Sequence, residues 1–455
     1  MDNKFLLAAT NAYGNGQERG HLISLPRWVG DFIYDKSNVK LKVGMSEIEV
    51  EYKLNNTKNT IEIPEYLVEE LGLQDKMEIN YKIKNSKLSL GPVIGVFQSN
   101  GSVRKANLQN ANFRFIELMK ANKSCSTILY FFSVHDVDFE HKKINGTFFN
   151  EETEQWEKKL YPYPDILYDR GGGTLKSQKM ISDNIRKELE GTEDFKKINA
   201  EYFFDKWHAY NELIKYKEMT KYLPLTILYN KPEDLTKMLN LSSTLYLKDC
   251  LGNNGVGVVR LIKHSEESYE LSHFMGTSFK FDIDSFDNLI SKIEELFKDK
   301  RFIIQIAIDV LQLGNRNIDM RATVQKNGRG NLGVTAFPVR LGKEECPITS
   351  TRSGSSVYTI EEFFKKNYNF TENQIDQLEM QLRRFLFTIF SCLEKSYGSF
   401  GEIGIDFAID KNWRIWFIEC NAKPGKDTLY ISYDNDTIQK AFINPLEYAK
   451  YLWIK

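Results

Sequence analysis

The sequence predicts an α/β protein of mixed α+β character, built from a β-rich domain (residues 1–90), an α/β domain (91–200) and a larger third part (201–455). Three observations predict this class. Apolar and polar residues alternate in the first domain, as they do in half-buried strands. A strand–helix–strand rhythm follows in the second, which is typical of α/β domains. Two alternating strand patterns then lie close together at residues 401–421.

Length and composition set outer limits on function. A chain of 455 residues exceeds one ordinary core, so several domains are expected. The net charge of −1, from 61 basic and 62 acidic side chains, predicts no general attraction to nucleic acid or to a membrane. The five scattered cysteines contain no Cys-x-x-Cys pair, which argues against a disulfide framework or structural zinc and for a reducing cytoplasm. The apolar stretch Phe5–Ala9 is far shorter than the about 18 residues of a membrane helix, and Asn11–Gly16 is expected to be a loop.

The first domain is expected to hold short strands at Val39–Val43 and Ile48–Lys53. A short helix is predicted over Glu65–Leu71, because Pro64 suits a first helical position and Gly72 suits a helix end. No residues that suggest a chemical role stand out in this domain.

The second domain starts with Val93–Phe97, a short apolar run of the kind found in buried parallel strands. A helical pattern through Phe113 and Ile116 follows, and a second apolar run at Ser126–Phe132 completes a β-α-β unit.

The third part mixes helices and strands. Phe204 is expected to open a helix that ends near Lys221. Thr371 and Gln374 form a capping box for a long helix with an apolar stripe. The strands predicted here are Ser243–Lys248, Phe302–Ile308, and a hairpin of Asp319–Gln325 with Gly333–Arg340 around Asn327-Gly328.

The strongest chemical signal lies on the strand pair near the carboxy terminus. Alternation from Ile403 to Ile409 places Asp406 on the face opposite the apolar residues, and Glu419 and Asn421 share one face of the returning strand. Two carboxylates and an amide oxygen are hard ligands that suit Mg²⁺. The alternative is a hairpin with a solvated polar face.

A glycine-rich loop follows the predicted strand that ends at Lys248. Gly252, Gly255 and Gly257 allow backbone N–H groups to approach phosphate oxygens, and Lys248 adds a positive charge beside them. The absence of Gly-Lys-Ser/Thr excludes a Walker loop, and the apolar strand that follows disfavours a dinucleotide fold. A plain glycine-rich hairpin is the alternative.

Several cations complete the candidate site. Asp319-Met-Arg321 places an acid and a base on one strand face, Arg340 ends a strand, and Arg352 lies in a hydroxyl-rich loop. Guanidinium groups suit phosphate and carboxylate ligands, although each of these residues, and Lys206, is otherwise an ordinary surface residue. No Gly-x-Ser-x-Gly motif supports a hydrolase.

The order of these motifs resembles the ATP-grasp superfamily, and more closely its YheC/YheD-type family of endospore-coat-associated proteins. The likeness covers about residues 90 to 430. The residues that carry it are Gly91–Gly95, Pro164–Arg170, Lys206-Trp207, Tyr222–Thr226, Asp319-Met320-Arg321, Gly404-Ile405-Asp406 and Glu419–Gly425. The resemblance implies an α/β pre-ATP-grasp domain followed by an ATP-grasp domain of two subdomains, about residues 201–300 and 301–455.

The resemblance also implies roles for individual residues. In the ATP site, Lys206 and Lys248 would contact the phosphates, the loop with Gly252, Gly255 and Gly257 would close as a lid, and Gln305 to Ala307 would meet adenine. Asp406, Glu419 and Asn421 would hold one or two Mg²⁺ ions, and Arg321 and Arg340 would stabilise the phosphoryl group or a substrate carboxylate. Arg352 and Ser353 would face the acceptor substrate. That loop departs from the family, which usually carries Thr-Asn and a glycine pair there.

The implied activity is an ATP- and Mg²⁺-dependent ligase that joins a carboxylate to an amine, such as a peptide amine, through an acyl-phosphate. Two alternatives stay open: a kinase or ester-forming ligase on the same site, and a spore-coat structural protein with a vestigial nucleotide site. A cytoplasmic location is expected, with the spore coat as the alternative, and neither nucleic acid nor membrane is an expected partner.

Overall fold

The computed structural model describes residues 4–10, 21–33, 35, 37–252, 255–274, 277–344 and 346–455. Asn11–Gly16, expected to be a loop, lies outside these residues. The chain divides into two compact units. The first comprises residues 1–202, 326–331 and 442–455, and the second comprises residues 203–325 and 332–441. The domain boundaries expected at residues 90 and 200, and the subdomain boundary near 300, stay predictions.

The first unit begins with a closed barrel, in the strand order β1-β5-β2-β4-β3-β7-β6. Alternation of apolar and polar residues drives its closure, because the inward side chains fill the interior. The short helix follows Pro64, as predicted, and spans Glu65–Glu70, one residue less than the predicted Glu65–Leu71. The elements are β1 (Lys4–Thr10), β2 (Leu22–Pro26), β3 (Asn38–Val43), β4 (Ser46–Asn55), β5 (Thr60–Pro64), α1 (Glu65–Glu70), β6 (Glu78–Lys84) and β7 (Lys87–Gly91).

An α/β layer completes the first unit. Its central strands are parallel, as the β-α-β rhythm predicts, and its sheet runs in the order β10-β11-β9-β8-β13-β14 with β12 beside β11. Barrel and layer share one buried core. The elements are β8 (Val93–Phe97), α2 (Asn100–Asn107), α3 (Phe113–Cys125), β9 (Ile128–Phe132), β10 (Val137–Asp138), β11 (Lys143–Asn150), β12 (Gln155–Pro162), β13 (Ile166–Asp169), α4 (Lys179–Glu190) and β14 (Lys196–Lys197).

The second unit holds two sheets. The first runs in the order β15-β20-β16-β17-β18-β19, with helices α6 and α7 packed on one face around Leu245, Leu247 and Ile304. Alternation therefore places Tyr246 and Lys248 on the other face. The elements are α5 (Lys206–Ile214), β15 (Thr226–Leu228), α6 (Pro232–Leu239), β16 (Thr244–Asp249), β17 (Val258–Ser265), β18 (Ser268–Phe274), β19 (Ser278–Ile283), α7 (Phe286–Phe297) and β20 (Phe302–Ile306).

The second sheet carries the acidic strand pair. Its order is β25-β24-β22-β26-β27, and β21 and β23 also pair with β22. The elements are β21 (Gln312–Leu313), β22 (Arg316–Lys326), β23 (Leu332–Ala336), β24 (Val339–Leu341), β25 (Ser356–Tyr358), α8 (Ile360–Tyr368), α9 (Glu372–Tyr397), β26 (Glu402–Ile409), β27 (Ile415–Asn421), α10 (Leu429–Ser432) and α11 (Asn435–Ile454). From residue 442 onward, α11 belongs to the first unit. Among the described residues, no helix is long and apolar enough to cross a bilayer.

The helix expected from Phe204 to near Lys221 is shorter than predicted, since α5 ends at Ile214. Beyond it, Tyr216 and Met219 each donate to the carbonyl three residues earlier, so the chain tightens into turns. These turns bury Met219 completely. The capping box at Thr371, in contrast, is present as predicted and opens α9.

Candidate active site

Three neighbouring strands align the acidic and basic residues of the site. Arg321 on β22 lies opposite Asp406 on β26, and Asp406 lies opposite Glu419 on β27. Directly opposed residues point to the same face of a sheet. Asn421 pairs with Gly404, which carries no side chain to compete with the Asn421 amide for space. The alignment expected of Asp406, Glu419 and Asn421 is thus present.

Asp406 is buried and held by two arginines. Arg321 donates to it twice, from Nε to Oδ1 and from Nη2 to Oδ2, each at 2.5 Å. Arg340 Nη2 donates to Oδ2 at 3.2 Å. Burial raises the pKa of Asp406, but the two guanidinium groups more than offset burial and hold that pKa below its usual value. Asp406 is therefore ionised, and its burial excludes the solvated-hairpin alternative.

Arg340 has a second carboxylate partner, Asp319. Its Nε donates to Asp319 Oδ1 at 2.7 Å and its Nη2 to Oδ2 at 2.5 Å. The Thr349 hydroxyl also donates to Asp319 Oδ2. Burial raises the pKa of Asp319, and Arg340 opposes that rise. Sequence parity had placed Asp319 on the face of Arg321, but it gave Asp319 no role and did not reveal Thr349.

Glu419 lies between two cations. Lys206 Nζ is 3.6 Å from Glu419 Oε2, and Arg321 Nη2 is 4.0 Å from Oε1. Lys206 begins α5, where the Asp205 side chain caps the helix, and its ammonium also donates to the Gly252 carbonyl. The buried Nδ2 of Asn421 has no hydrogen-bond partner within the described part of the chain. A ligand with a hydrogen-bond acceptor would satisfy a buried amide N–H group of this kind.

Lys248 is buried on the face of the first sheet opposite helices α6 and α7. Its Nζ donates to Gln305 Oε1 at 2.6 Å, and Gln305 Nε2 donates to Thr226 Oγ1 at 2.8 Å. Burial lowers the pKa of Lys248 to about 8, against the opposing effect of Glu419. Thr226 was not predicted as a site residue. Ala307, expected near adenine, uses its N–H within the sheet, donating to the Thr244 carbonyl at 3.1 Å.

The glycine loop has the geometry that only glycine adopts readily. Gly255 and Gly257 have φ angles of +77° and +75°. A methyl group on Gly257 would lie 2.7 Å from Asp249 Cβ, and one on Gly252 would lie 2.6 Å from the Val256 carbonyl oxygen. The three glycines therefore permit a tight turn, and the tip between Gly252 and Gly255 lies outside the described residues.

The predicted acceptor residues lie in one turn, Thr351–Ser353. The Ser353 hydroxyl is buried and donates to the Ser350 carbonyl at 2.6 Å, so it holds its own loop. The side chain of Arg352 lies outside the described part of the structure. A substrate role for Arg352 and Ser353 stays a prediction.

A buried ion pair supports the segment after β27. Lys426 Nζ is 2.8 Å from Glu402 Oε2, and neither side chain reaches solvent to any useful extent. Glu402 begins β26, and Gln325 also donates to it at 2.9 Å. The pair holds the chain that leaves Asn421, and sequence analysis missed it because Lys426 lies beyond the end of β27, where alternation along a strand predicts no direction for its side chain.

The donor set suits a divalent cation. Asp406 and Glu419 supply carboxylate oxygens from opposed positions, and Asn421 would supply its amide oxygen Oδ1, since its unpartnered Nδ2 is a hydrogen-bond donor and not a cation ligand. Hard oxygen donors in this number match Mg²⁺, which takes its remaining ligands from phosphates and water. Arg321 and Lys206 already neutralise these carboxylates, so a cation has to compete with them. Among the described residues, no group of three His, Cys, Asp or Glu side chains forms a metal site by itself.

The family model and two relatives agree on the family of this chain. The model of the YheC/D-like ATP-grasp family matches residues 194–452, more than half of the chain. The chain is 24% identical over 400 residues to the endospore coat-associated protein YheD of Bacillus subtilis, covering 86% of each chain. It is 21% identical over 332 residues to YheC of the same organism, covering 71% of this chain and 87% of YheC. Crystalline D-alanyl-alanine synthetase A from Vibrio cholerae is similar over 78% of this chain and 98% of its own, at 11% identity and a TM-score of 0.45. This chain belongs to the YheC/D-like ATP-grasp family.

Proposed function

We propose that this protein is an ATP- and Mg²⁺-dependent ligase that joins a carboxylate to an amine through an acyl-phosphate, with a peptide as a candidate acceptor. Family membership supports the use of ATP. The observation that carries the proposal is the alignment of Arg321, Asp406 and Glu419 on three adjacent strands. A site with this many fixed charges suits phosphoryl transfer, where catalysis consists mostly of positioning and charge stabilisation.

In the first step, a carboxylate oxygen of one substrate attacks the γ-phosphorus of ATP, the bond to the bridging oxygen breaks, and ADP leaves. Lys206 and Lys248 would hold the phosphates, while Arg321 and Arg340 offset the charge on the transferred group. When bound, Mg²⁺ supplies further charge stabilisation and would be held by Asp406, Glu419 and Asn421.

In the second step, the amine attacks the acyl carbon, the acyl–oxygen bond to phosphate breaks, and phosphate and a proton leave as the amide forms. Acyl-phosphates hydrolyse readily, so water has to be kept out. We expect the loop with Gly252, Gly255 and Gly257 to do this, as a lid of the kind that closes many active sites.

Glu419→Gln tests this assignment. The variant keeps the shape of the side chain but loses its charge, so we expect ADP release in the presence of Mg²⁺-ATP and a mixture of amino acids and dipeptides to fall by at least about 100-fold. Circular dichroism should show an unchanged fold. Glu372→Gln, at an exposed position of α9, is the matched control and should keep full activity.

Mass spectrometry of the products separates the proposal from its alternatives. An amide together with ADP and phosphate supports ligation, whereas a stable phosphorylated product would identify a kinase and an ester would identify an ester-forming ligase. Absence of any nucleotide-induced rise in melting temperature at millimolar Mg²⁺-ATP would favour a structural protein, because a ligand that binds the folded state raises stability. The relatives' name favours a role at the endospore coat, and the cytoplasm remains the expected compartment.

A further inference from the structure

Three polar side chains of the first sheet in the second unit form one chain of hydrogen bonds. Lys248 Nζ donates to Gln305 Oε1 at 2.6 Å, and Gln305 Nε2 donates to Thr226 Oγ1 at 2.8 Å. The Thr226 hydroxyl in turn donates to the Pro224 carbonyl at 2.9 Å. Thr226, Gln305 and Lys248 are only 3%, 5% and 8% exposed. The hydrogen bonds are therefore shielded from water, which strengthens each of them.

The register of three neighbouring strands brings these residues together. Thr226 on β15 and Tyr246 on β16 lie directly opposite Gln305 on β20, one on each side of it. Lys248 lies two residues beyond Tyr246 and therefore on the same face of the sheet. Its side chain reaches back along β16 to Gln305, and its ammonium lies 5.8 Å from the centre of the Tyr246 ring. An amide oxygen and an aromatic ring thus locate the ammonium.

The direction of each hydrogen bond in this chain follows from its end at Pro224. A hydroxyl group has a single hydrogen, and the Pro224 carbonyl takes that of Thr226, so Thr226 Oγ1 can only accept from Gln305. The amide nitrogen of Gln305 then has to face Thr226, and the amide oxygen has to face Lys248. A reversed amide would place its N–H groups against the ammonium, which also only donates. Thr226 therefore selects the one orientation of Gln305 that gives Lys248 an acceptor.

We propose that Thr226 and Gln305 are positioning residues that hold the Lys248 ammonium in place for the phosphates of the nucleotide. The resemblance to ATP-grasp proteins implied a place for Gln305 beside adenine. In this chain both ends of the Gln305 amide already have partners, so its side chain acts on the phosphates through Lys248 and leaves recognition of the base to other groups. The inference rests on the proposed function, in which Lys248 contacts the phosphates.

Thr226→Val is the first test, because valine keeps the shape of threonine and removes the hydroxyl that orients Gln305. The probes are Mg²⁺-ADP and adenosine, which carries the same base without phosphates. We expect the dissociation constant of Mg²⁺-ADP to rise about tenfold, since hydrogen bonds to charged groups contribute on that order, while that of adenosine stays the same. Calorimetric titration measures the first affinity, and ligand-observed NMR measures the second.

Two variants separate positioning from general damage. Thr226→Ser restores a hydroxyl and should recover the affinity for Mg²⁺-ADP. Thr236→Val is the matched control, because the Thr236 hydroxyl also donates to a proline carbonyl, that of Pro232 at 3.4 Å, but from an exposed position of α6. It should bind both probes like the parent protein.

Gln305→Met tests whether Thr226 acts through Gln305, because methionine keeps much of the length of glutamine and removes both ends of the amide. It should weaken Mg²⁺-ADP binding at least as much as Thr226→Val does and leave adenosine binding unchanged. Adding Thr226→Val to Gln305→Met should then cause no further loss, since the two residues act as one unit. If Thr226→Val does not fold, Gln305→Met alone decides, through the same comparison of the two probes.

Three results would overturn the inference: unchanged Mg²⁺-ADP affinity in Thr226→Val, an equal loss for adenosine and Mg²⁺-ADP, or fully additive losses in the double variant. Each of them leaves the proposed function standing, because the parent protein still binds the nucleotide. A parent protein that does not bind Mg²⁺-ADP would instead refute the proposed function, and the inference would fail with it.

Discussion

At the scale of single residues, the site balances charge almost completely before any substrate arrives. The cations are Lys206, Lys248, Arg321 and Arg340, and the anions are Asp319, Asp406 and Glu419. Each anion already has a cationic partner, but Lys248 is held by a neutral amide, that of Gln305. Lys248 is therefore the cation whose charge is least compensated and the one most sensitive to pH.

Nucleotide affinity should depend on pH through Lys248. Burial lowers its pKa to about 8, so the ammonium is charged below that pH and loses its proton above it. A phosphate ligand favours the charged form, so the dissociation constant of Mg²⁺-ADP should rise above about pH 8, approaching tenfold for each further pH unit. Calorimetric titrations from about pH 7 to 9.5 measure this dependence.

Lys248→Arg is the control for the pH dependence, because an arginine stays charged throughout this range. The variant should bind ADP with an affinity that hardly changes with pH. A parent protein with an equally flat profile would contradict a phosphate contact by Lys248.

Sequence analysis predicted the site residues whose direction follows from alternation along a strand. It missed residues that contact each other although they lie far apart in the sequence. Asp406, Glu419 and Asn421 could be aligned in advance because a short turn joins their two strands, which fixes a common face. Thr349 meets Asp319 across 30 positions of sequence, and Thr226 meets Gln305 across 79. Such contacts depend on register between distant strands, which residue spacing does not encode.

At the scale of secondary-structure elements, the turn from Gly255 to Gly257, which we propose as part of a lid, depends on backbone geometry that favours glycine. Gly257 ends the loop at the start of β17, and its carbonyl group pairs with β16, since Asp249 N donates to the Gly257 carbonyl at 2.8 Å. A positive φ at this point turns the chain back into the sheet. The path of the chain into β17 therefore depends on Gly257, which lies close to Lys248 in the sheet.

Gly257→Ala should damage the lid. The added methyl group meets Asp249 Cβ at 2.7 Å and forces an L-residue to a φ of +75°, so we expect a loss of about 1–3 kcal/mol in unfolding free energy. The affinity for Mg²⁺-ADP should fall as well, because the loop can no longer close in the same shape. Chemical denaturation and calorimetric titration measure the two effects.

Gly333→Ala is the matched control, since a methyl group there meets no atom within 4 Å. It should leave both quantities nearly unchanged. Equal behaviour of the two variants would show that the strained turn at Gly257 has no part in nucleotide binding.

Elements with strong local signals were predictable, and elements decided by packing were not. The capping box at Thr371 and the apolar stripe of α9 depend only on residues within one helix. The structure confirms the predicted capping box. α5 ends at Ile214, and the turns after it bury Met219, which no local pattern reveals. Closure of the first strands into a barrel likewise needs pairings such as β1 with β5, across about 50 residues that no turn motif connects.

At the scale of the whole molecule, the last residues of the chain contact the amino-terminal barrel within one unit. Residues 442–455 belong to the first unit, although residues 332–441 belong to the second. Lys82 of β6 donates to the Trp453 carbonyl at 2.7 Å, and its ammonium lies 4.7 Å from the centre of the Trp453 ring. Sequence analysis predicted residues 201–455 as one part, because no pattern near Trp453 predicts its contact with Lys82.

Trp453→Ala should therefore weaken the amino-terminal barrel, not the candidate active site. Trp453 is only 5% exposed, and truncation of a buried Trp removes about 3–5 kcal/mol of stability. Hydrogen exchange should speed up in β6 and β7, while the protection of β26 and β27 and the affinity for Mg²⁺-ADP stay close to those of the parent. Peptide-resolved exchange measurements compare these strands in one experiment.

Ile454→Ala is the neighbouring control, because that side chain is 65% exposed and its removal should alter no strand. Lys82→Met adds a second check, since it removes the hydrogen bond to the Trp453 carbonyl and the cation over the ring while it keeps most of the side-chain volume. It should speed up exchange in β6 less than Trp453→Ala does. If Trp453→Ala leaves the hydrogen exchange of β6 unchanged, the last residues of the chain contribute nothing measurable to the stability of the barrel.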